Sequence, residues 1–271
     1  LCDRAQSVNV TPMSALFASS SMSVTMLIVT AMVFTLAGFI KGVIGLGLPT
    51  VSVGLLAVAM PPAHALAIVI VPAIITNIWQ TFAGPYLRDI VRRLWPLMLG
   101  TVIGILSGAG LMTGPYARFG TIILGVLLVI YAIVGLRKVH FTVDRPHEKW
   151  IGGIVGLVTG VVSAATGVQV IPSMPFMQAI GLEKDELVQA LGVFFTTATF
   201  ALAFNLTSAG LMDASTVIPG VIAMAGSFTG MALGQTVRSR MDANTFRQWF
   251  LIAMLLLGIY LAGIAIDKML T

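Results

Sequence analysis

The stretch AGFIKGVIGLGLP, Ala37 to Pro49, sets a lysine inside an apolar run and follows it with three glycines and a proline. Its meaning turns on whether that run lies in water or in lipid. Apolar runs of roughly 20 residues, the length a helix needs to cross a bilayer, recur along the chain. Hydrophobic residues make up 58% of the 271 and charged ones only 9%, where a soluble protein carries about 25% charged residues. The sequence therefore describes an all-α polytopic membrane protein with no separate water-soluble domain. In that setting Lys41 is a charge placed where there is no water.

The other charges give orientation. The net charge of +5 comes from 15 Lys and Arg against 10 Asp and Glu, spread over short segments rather than gathered on one face, so no nucleic-acid partner is implied. Arg88, Arg92 and Arg93 mark one loop, Arg137, Lys138, Arg145 and Lys149 a second, and Arg238, Arg240 and Arg247 a third, and positive charge places all three in the cytoplasm. Both termini then fall outside. Residues 1–21 form a polar to mildly apolar leader without the n-region and h-region order of a signal peptide. The one cysteine, Cys2, excludes disulfides and thiolate metal sites, and His64, His140 and His147 are scattered. No metal or other cofactor is expected.

Apolar segments fall near 22–45, 47–60, 62–83, 94–113, 117–138, 150–164, 169–180, 187–207, 215–236 and 245–266. Three of them, 47–60, 150–164 and 169–180, are too short to span and read as half-helices. The charge parity makes 150–180 a re-entrant hairpin that enters and leaves on the cytoplasmic side, with Glu183 to Glu186 in water. GFIKGVI, Gly38 to Ile44, matches GLVTGVV, Gly156 to Val162, in glycine spacing and apolar filling. The expected organisation is thus a first transmembrane repeat over 22–138, a cytoplasmic linker over 139–149 and a second repeat over 150–271. Each repeat is a broken or re-entrant helical hairpin followed by three transmembrane helices, and the two run in inverted topology. In such transporters the site lies at the midplane, where the broken elements meet.

On this reading every acidic residue falls in a terminus or loop, and so does every basic residue except Lys41. A lone intramembrane charge costs at least ~2.5 kcal/mol on the insertion scale and marks a functional position by default. No intramembrane carboxylate is available to pair with it, so a substrate anion is the expected counter-charge. Gly42, Gly45 and Gly47 let the backbone approach a ligand at a helix break, and Thr50 and Ser52 add hydroxyls. From the second repeat come Thr159, the counterpart of Lys41, with Ser163, Thr166, Gly167 and Gln169. Asn77 and Thr197 stand on the helices that follow the hairpins. Thr76, Gln80, Thr196, Thr199 and Asn205 share those helices, and each of these polar side chains serves equally well as packing glue. The glycines of GTVIGILSGAG, Gly100 to Gly110, have small-residue packing spacing. Trp79, Trp95, Trp150 and Trp249 fit interfacial anchors. Ser107 with His64 could suggest a hydrolase, but the flanking glycine of a nucleophile elbow and an Asp near a His are both missing.

GFIKGVIGLGLPTVS and GLVTGVVSAATGVQVIPSMPF resemble the two Gly-rich, Pro-terminated motifs of the TauE/SafE family of sulfite and organosulfonate transporters, and the two-half layout extends that resemblance over nearly the whole chain. The resemblance implies a secondary transporter of small sulfur-containing anions such as sulfite or sulfoacetate, exporting them across the cell inner membrane or plasma membrane. A passive anion channel, or an ion-coupled uptake carrier for another small organic anion, stays open beside it. The expected partners are the anion and the lipid bilayer, and a homodimer is left open.

Overall fold

The computed structural model describes residues 23–44, 48–113, 119–137, 142–212, 216–238 and 243–270. The leader, Gly45 and Gly47 lie outside them. Ten helices are found among the described residues: α1 (Val24–Ile44), α2 (Leu48–Leu56), α3 (Pro62–Phe82), α4 (Leu87–Ser107), α5 (Gly120–Leu136), α6 (Arg145–Thr166), α7 (Ser173–Ala179), α8 (Lys184–Ser208), α9 (Val217–Arg238) and α10 (Ala243–Leu270). Seven of them, α1, α3, α4, α6, α8, α9 and α10, are long and apolar enough to cross a membrane. The chain is an all-α polytopic membrane protein.

Two expectations need correction. The segment 150–164 is no half-helix: α6 begins at Arg145, inside the stretch assigned to the linker, and runs for 22 residues. Arg88, Arg92 and Arg93 are likewise not in a loop but on the first turns of α4, and Lys184 to Glu186 open α8. Charge was read as the end of helix, whereas at a membrane surface a first turn can be helical and solvated at once. Acidic groups are favoured there by the helix dipole, as with Asp89, Glu148, Asp185 and Glu186. Pro146 is tolerated in the same turn because its missing N–H has no intrahelical partner to lose.

α6 ends at Gly167, whose φ of 75° is the left-handed cap that glycine adopts without strain. The chain then runs without helix to α7. The Val143 N–H donates to the Ala179 carbonyl at 3.0 Å. Arg93 grips both carboxylate oxygens of Glu148, at 2.8 and 2.6 Å, and donates to the Ile180 carbonyl at 2.8 Å. The start of α6 and the end of α7 therefore sit at one level. α6 spans about 33 Å at 1.5 Å per residue, and the chain returns over residues 167–180 to the level it left.

Without a hydrophobic drive between helices in lipid, close packing depends on small residues. Gly38 and Gly42 of α1 lie on the backbone of α9 at Ser227, Met231 and Gly234, and Gly230 and Gly234 of α9 lie on the backbone at Thr35 and Phe39. Gly100 and Gly104 of α4 meet α6 at Gly153, Leu157 and Gly160 in the same way. The remaining pairings follow one pattern. α3 packs on α9 as α8 packs on α4, and α2 on α3 as α7 on α8, while α3 also packs on α8 and α5 on α10. Val24, Ile28, Met32 and Leu36 form an exposed apolar stripe at four-residue spacing on α1, the face left for lipid.

A Cβ at Gly160 would run into the Thr101 carbonyl and the Ile105 amide, whereas one at Gly263 meets nothing within 4 Å. Gly160→Val is expected to destabilise the protein by about 1–3 kcal/mol or more. Gly263→Ala should be neutral or slightly stabilising, since alanine is the better helix former. Thermal unfolding of the two purified variants checks the contrast.

Candidate functional site

Lys41 lies in the last turn of α1 and is only 6% exposed. α3, packed against the same helix α9, supplies its partners. The ammonium donates to the Thr76 hydroxyl at 3.0 Å and to the Asn77 carboxamide oxygen at 2.7 Å. Thr76 can accept because its own proton goes to the Pro72 carbonyl at 2.8 Å. Both partners are neutral, so they hold the charge without cancelling it. The chemistry left over is one cation whose charge is unmatched.

Five buried side-chain atoms among the described residues have no hydrogen-bond partner in the protein: Thr50 Oγ1, Ser52 Oγ, Asn77 Nδ2, Gln169 Oε1 and Ser227 Oγ. Buried polar atoms are ordinarily paired, and each exception calls for an explanation. Four of the five sit on α2, on α3 beside Lys41, and on the chain between α6 and α7. The hydroxyls and Asn77 Nδ2 carry protons to donate, which is what an oxyanion needs.

Polar contacts run along the α3/α8 seam. Gln80 donates to the Val188 carbonyl at 2.7 Å, Gln189 to the Thr81 and Gly84 carbonyls at 2.8 and 2.7 Å, and the Thr81 and Thr196 hydroxyls lie 3.0 Å apart. Thr81 meets Thr196 and, three residues on, Gly84 meets Gln189, so the pair is antiparallel. One turn further along, Asn77 holds Lys41 from the first break, and Thr199 accepts from Gln169 Nε2 of the second at 3.4 Å. Lys41 with Asn77, and Gln169 with Thr199, are thus polar pairs on neighbouring turns of one seam.

Several sequence candidates have other employment. Thr159, Ser163 and Thr166 donate to the carbonyls of Val155, Thr159 and Val162, at 2.7, 2.6 and 2.7 Å. Ser163 also reaches the Val168 carbonyl at 3.1 Å, and Thr166 accepts the Val168 N–H at 3.2 Å. Their hydroxyls finish the broken end of α6. Gly42 is occupied by packing against α9, and Gly167 by the cap and by Leu66 behind it. Thr197 donates to the Val193 carbonyl at 3.0 Å and touches the Met98 sulfur at 3.6 Å, on the α4 side of α8. Gly45 and Gly47 lie outside the described residues. Thr76 and Thr199, in contrast, were weighed in the sequence only as lining or packing. Their sole signal was position, on the helix that follows each hairpin.

Residues 29–261 match the family described as Sulfite exporter TauE/SafE. No curated protein and no solved structure matches the chain significantly. The matched span covers most of the 271 residues, so the chain belongs to the TauE/SafE family. It is a multi-pass membrane transporter of the cell inner or plasma membrane, not an enzyme.

Asn77→Leu removes the shorter of the two Lys41 bonds and is expected to cost about 1.5–3 kcal/mol, the range for a hydrogen bond to a charged group. The double variant with Lys41→Met should cost less than the sum of the two single changes, because the paired groups leave together. Thermal unfolding of the four proteins closes that cycle.

Proposed function

We propose that the chain is a secondary carrier that exports a small sulfur oxyanion, sulfite or an organosulfonate, from the cytoplasm, with Lys41 as the anion's partner. The observation that carries this reading is a buried ammonium whose partners among the described residues are two neutral oxygens. An intramembrane cation needs a counter-charge, and a carboxylate at that place would both cancel it and repel an anion. Asn77 Nδ2, on the residue that holds Lys41, is an unpartnered donor suited to a sulfonate oxygen. Membership of a family described as sulfite exporters agrees with that donor set.

The reading includes two inverted repeats, α1–α5 and α6–α10. The exchange of pairings between halves supports it, as does the level shared by Val143 and Ala179. With Arg93 and Arg145 at the cytoplasmic surface, α6 enters from that side and α7 returns to it. In a Cys2→Ser background, a cysteine introduced at Arg145 should then stay unreactive toward an impermeant thiol reagent on intact cells and react once the membrane is opened. Labelling of intact cells would overturn the orientation.

Lys41→Met is expected to fold and to lose anion binding, and Lys41→Arg to keep part of it, measured by titration of the purified variants with sulfite. Unchanged affinity in Lys41→Met would reduce the lysine to a structural role. Export of an anion from a negative interior gains about 2.3 kcal/mol per charge per 100 mV, close to fiftyfold accumulation at equilibrium. In substrate-loaded proteoliposomes a potassium-clamped potential, negative inside, should therefore speed efflux, while collapsing a pH gradient alone should change little. Efflux that ignores the potential and stops without a proton or sodium gradient would point to ion-coupled transport. Counterflow of labelled substrate separates carrier from passive channel.

A further inference from the structure

We infer that the α3/α8 seam is the gate through which an anion reaches Lys41, and that Gln189 is the clasp that holds it shut at the end nearest Arg88. This rests on the reading of Lys41 as the anion's partner and adds the movement that exposes it.

The packing divides the helices into two groups. α1, α2, α3 and α9 pack on one another, as do α4, α6, α7 and α8. Within each group the principal seam runs main chain on main chain, at Gly38, Gly42, Gly230 and Gly234 between α1 and α9, and at Gly100, Gly104, Gly156 and Gly160 between α4 and α6. Between the groups the principal packing among the described residues is α3 on α8, while α5 and α10 pack chiefly on each other. Neither group is a half of the sequence, since α9 sits with the first three helices and α4 with the later ones. Rigid-body rocking, the usual movement of carriers built on broken helices, therefore parts α3 from α8 and leaves the glycine seams intact.

The buried polar pairs make such a parting necessary. Lys41 and Asn77 belong to the first group, Gln169 and Thr199 to the chain around the second, and all four are buried. An anion in water reaches Lys41 only when the elements around it move.

The two ends of the seam are closed differently. At the charged end Gln189 accepts from the Tyr86 N–H at 2.8 Å and donates to the Thr81 and Gly84 carbonyls at 2.8 and 2.7 Å. Gln80 adds its bond to the Val188 carbonyl, and the Thr81 and Thr196 hydroxyls meet beside it. At the other end Leu66 of α3 and Leu202 and Leu206 of α8 line one small cavity. Water can replace the bonds of the first end at little net cost, whereas parting the leucines exposes apolar surface. The chain passes from the first group to the second through residues 83–86, between α3 and α4, and Gln189 holds that turn folded. Four residues reach about 13 Å when extended, so the turn can lengthen once the clasp lets go.

The experiment uses the full chain with Cys2→Ser in sulfite-loaded proteoliposomes. Thr81→Cys with Thr196→Cys places two sulfurs where hydroxyls now lie 3.0 Å apart, within reach of a disulfide of about 2.0 Å. Oxidation, verified by mass spectrometry, is expected to slow sulfite efflux at least tenfold, and reduction to restore it. Efflux from the oxidised protein within twofold of the reduced protein overturns the gate, and a pair that resists oxidation overturns the closed seam itself. Absence of efflux from the Cys2→Ser parent overturns the sulfite reading instead, and the gate is then judged by thiol reactivity, which needs no substrate. Gln189→Met keeps the side chain's length and removes its three bonds. It should raise the rate at which Thr81→Cys reacts with a small maleimide at least fivefold, while Thr101→Cys, buried in the α4/α6 seam, stays unreactive. An unchanged rate at Thr81→Cys, or equal acceleration at both positions, overturns Gln189 as the clasp.

Discussion

The contact on which the rest of the arrangement depends is the bare backbone seam between α1 and α9. Gly38 and Gly42 allow the two helices to touch main chain to main chain, and this fixes the rotation of α1 about its own axis. At 100° per residue, Lys41 projects about 60° from Gly38 and about 100° from Gly42. With the glycine face turned to α9, the lysine must point sideways, toward α3, which leans on the same helix. Any side chain at those glycines would turn or displace α1 and carry Lys41 away from Thr76 and Asn77. A packing motif thereby aims a charge.

Much of this was legible in the sequence. Lys41 stood out because it is the one charge in an apolar run, and the match of Gly38–Ile44 to Gly156–Val162 pointed to a second element built alike. Its partners were harder to see. Thr76 and Asn77 lie 35 and 36 residues away, and nothing local distinguishes a threonine that receives a lysine from one that packs. The local contacts of Thr159, Ser163 and Thr166 were likewise not legible: a hydroxyl on a helix has a carbonyl one turn back within reach, and in lipid no water competes for it. The late start given to α6 came from treating Arg145, Glu148 and Lys149 as loop residues, although the end of a spanning helix is where charge and helix coexist.

The two broken elements solve one problem in different ways. Every backbone group in lipid must find a partner, so a helix that stops inside the protein leaves carbonyls and amides to be satisfied. At the end of α6 the capping is covalently local: the Gly167 N–H returns to Ser163, the Ser163 hydroxyl reaches Val168, and Thr166 receives the Val168 amide. α1 ends instead beside a charge whose partners lie on another helix. The backbone at the second break is capped locally, with Gln169 reaching Thr199 of α8, whereas the lysine in the last turn of α1 is wired to α3.

Neutral partners also resolve a conflict built into carrying an anion. A carrier must pass through a state without substrate, and an ammonium buried at that moment with no partner would be costly. A carboxylate would remove that cost by making a strong buried pair, but each substrate would then have to displace it against its own charge. Thr76 and Asn77 give Lys41 two oxygens and keep the positive charge intact. On the proposed reading an anion is met through the remaining N–H and the Asn77 amide, without breaking that arrangement. Binding strong enough to draw an anion from water and weak enough to release it on the far side is what any conducting or carrying site requires.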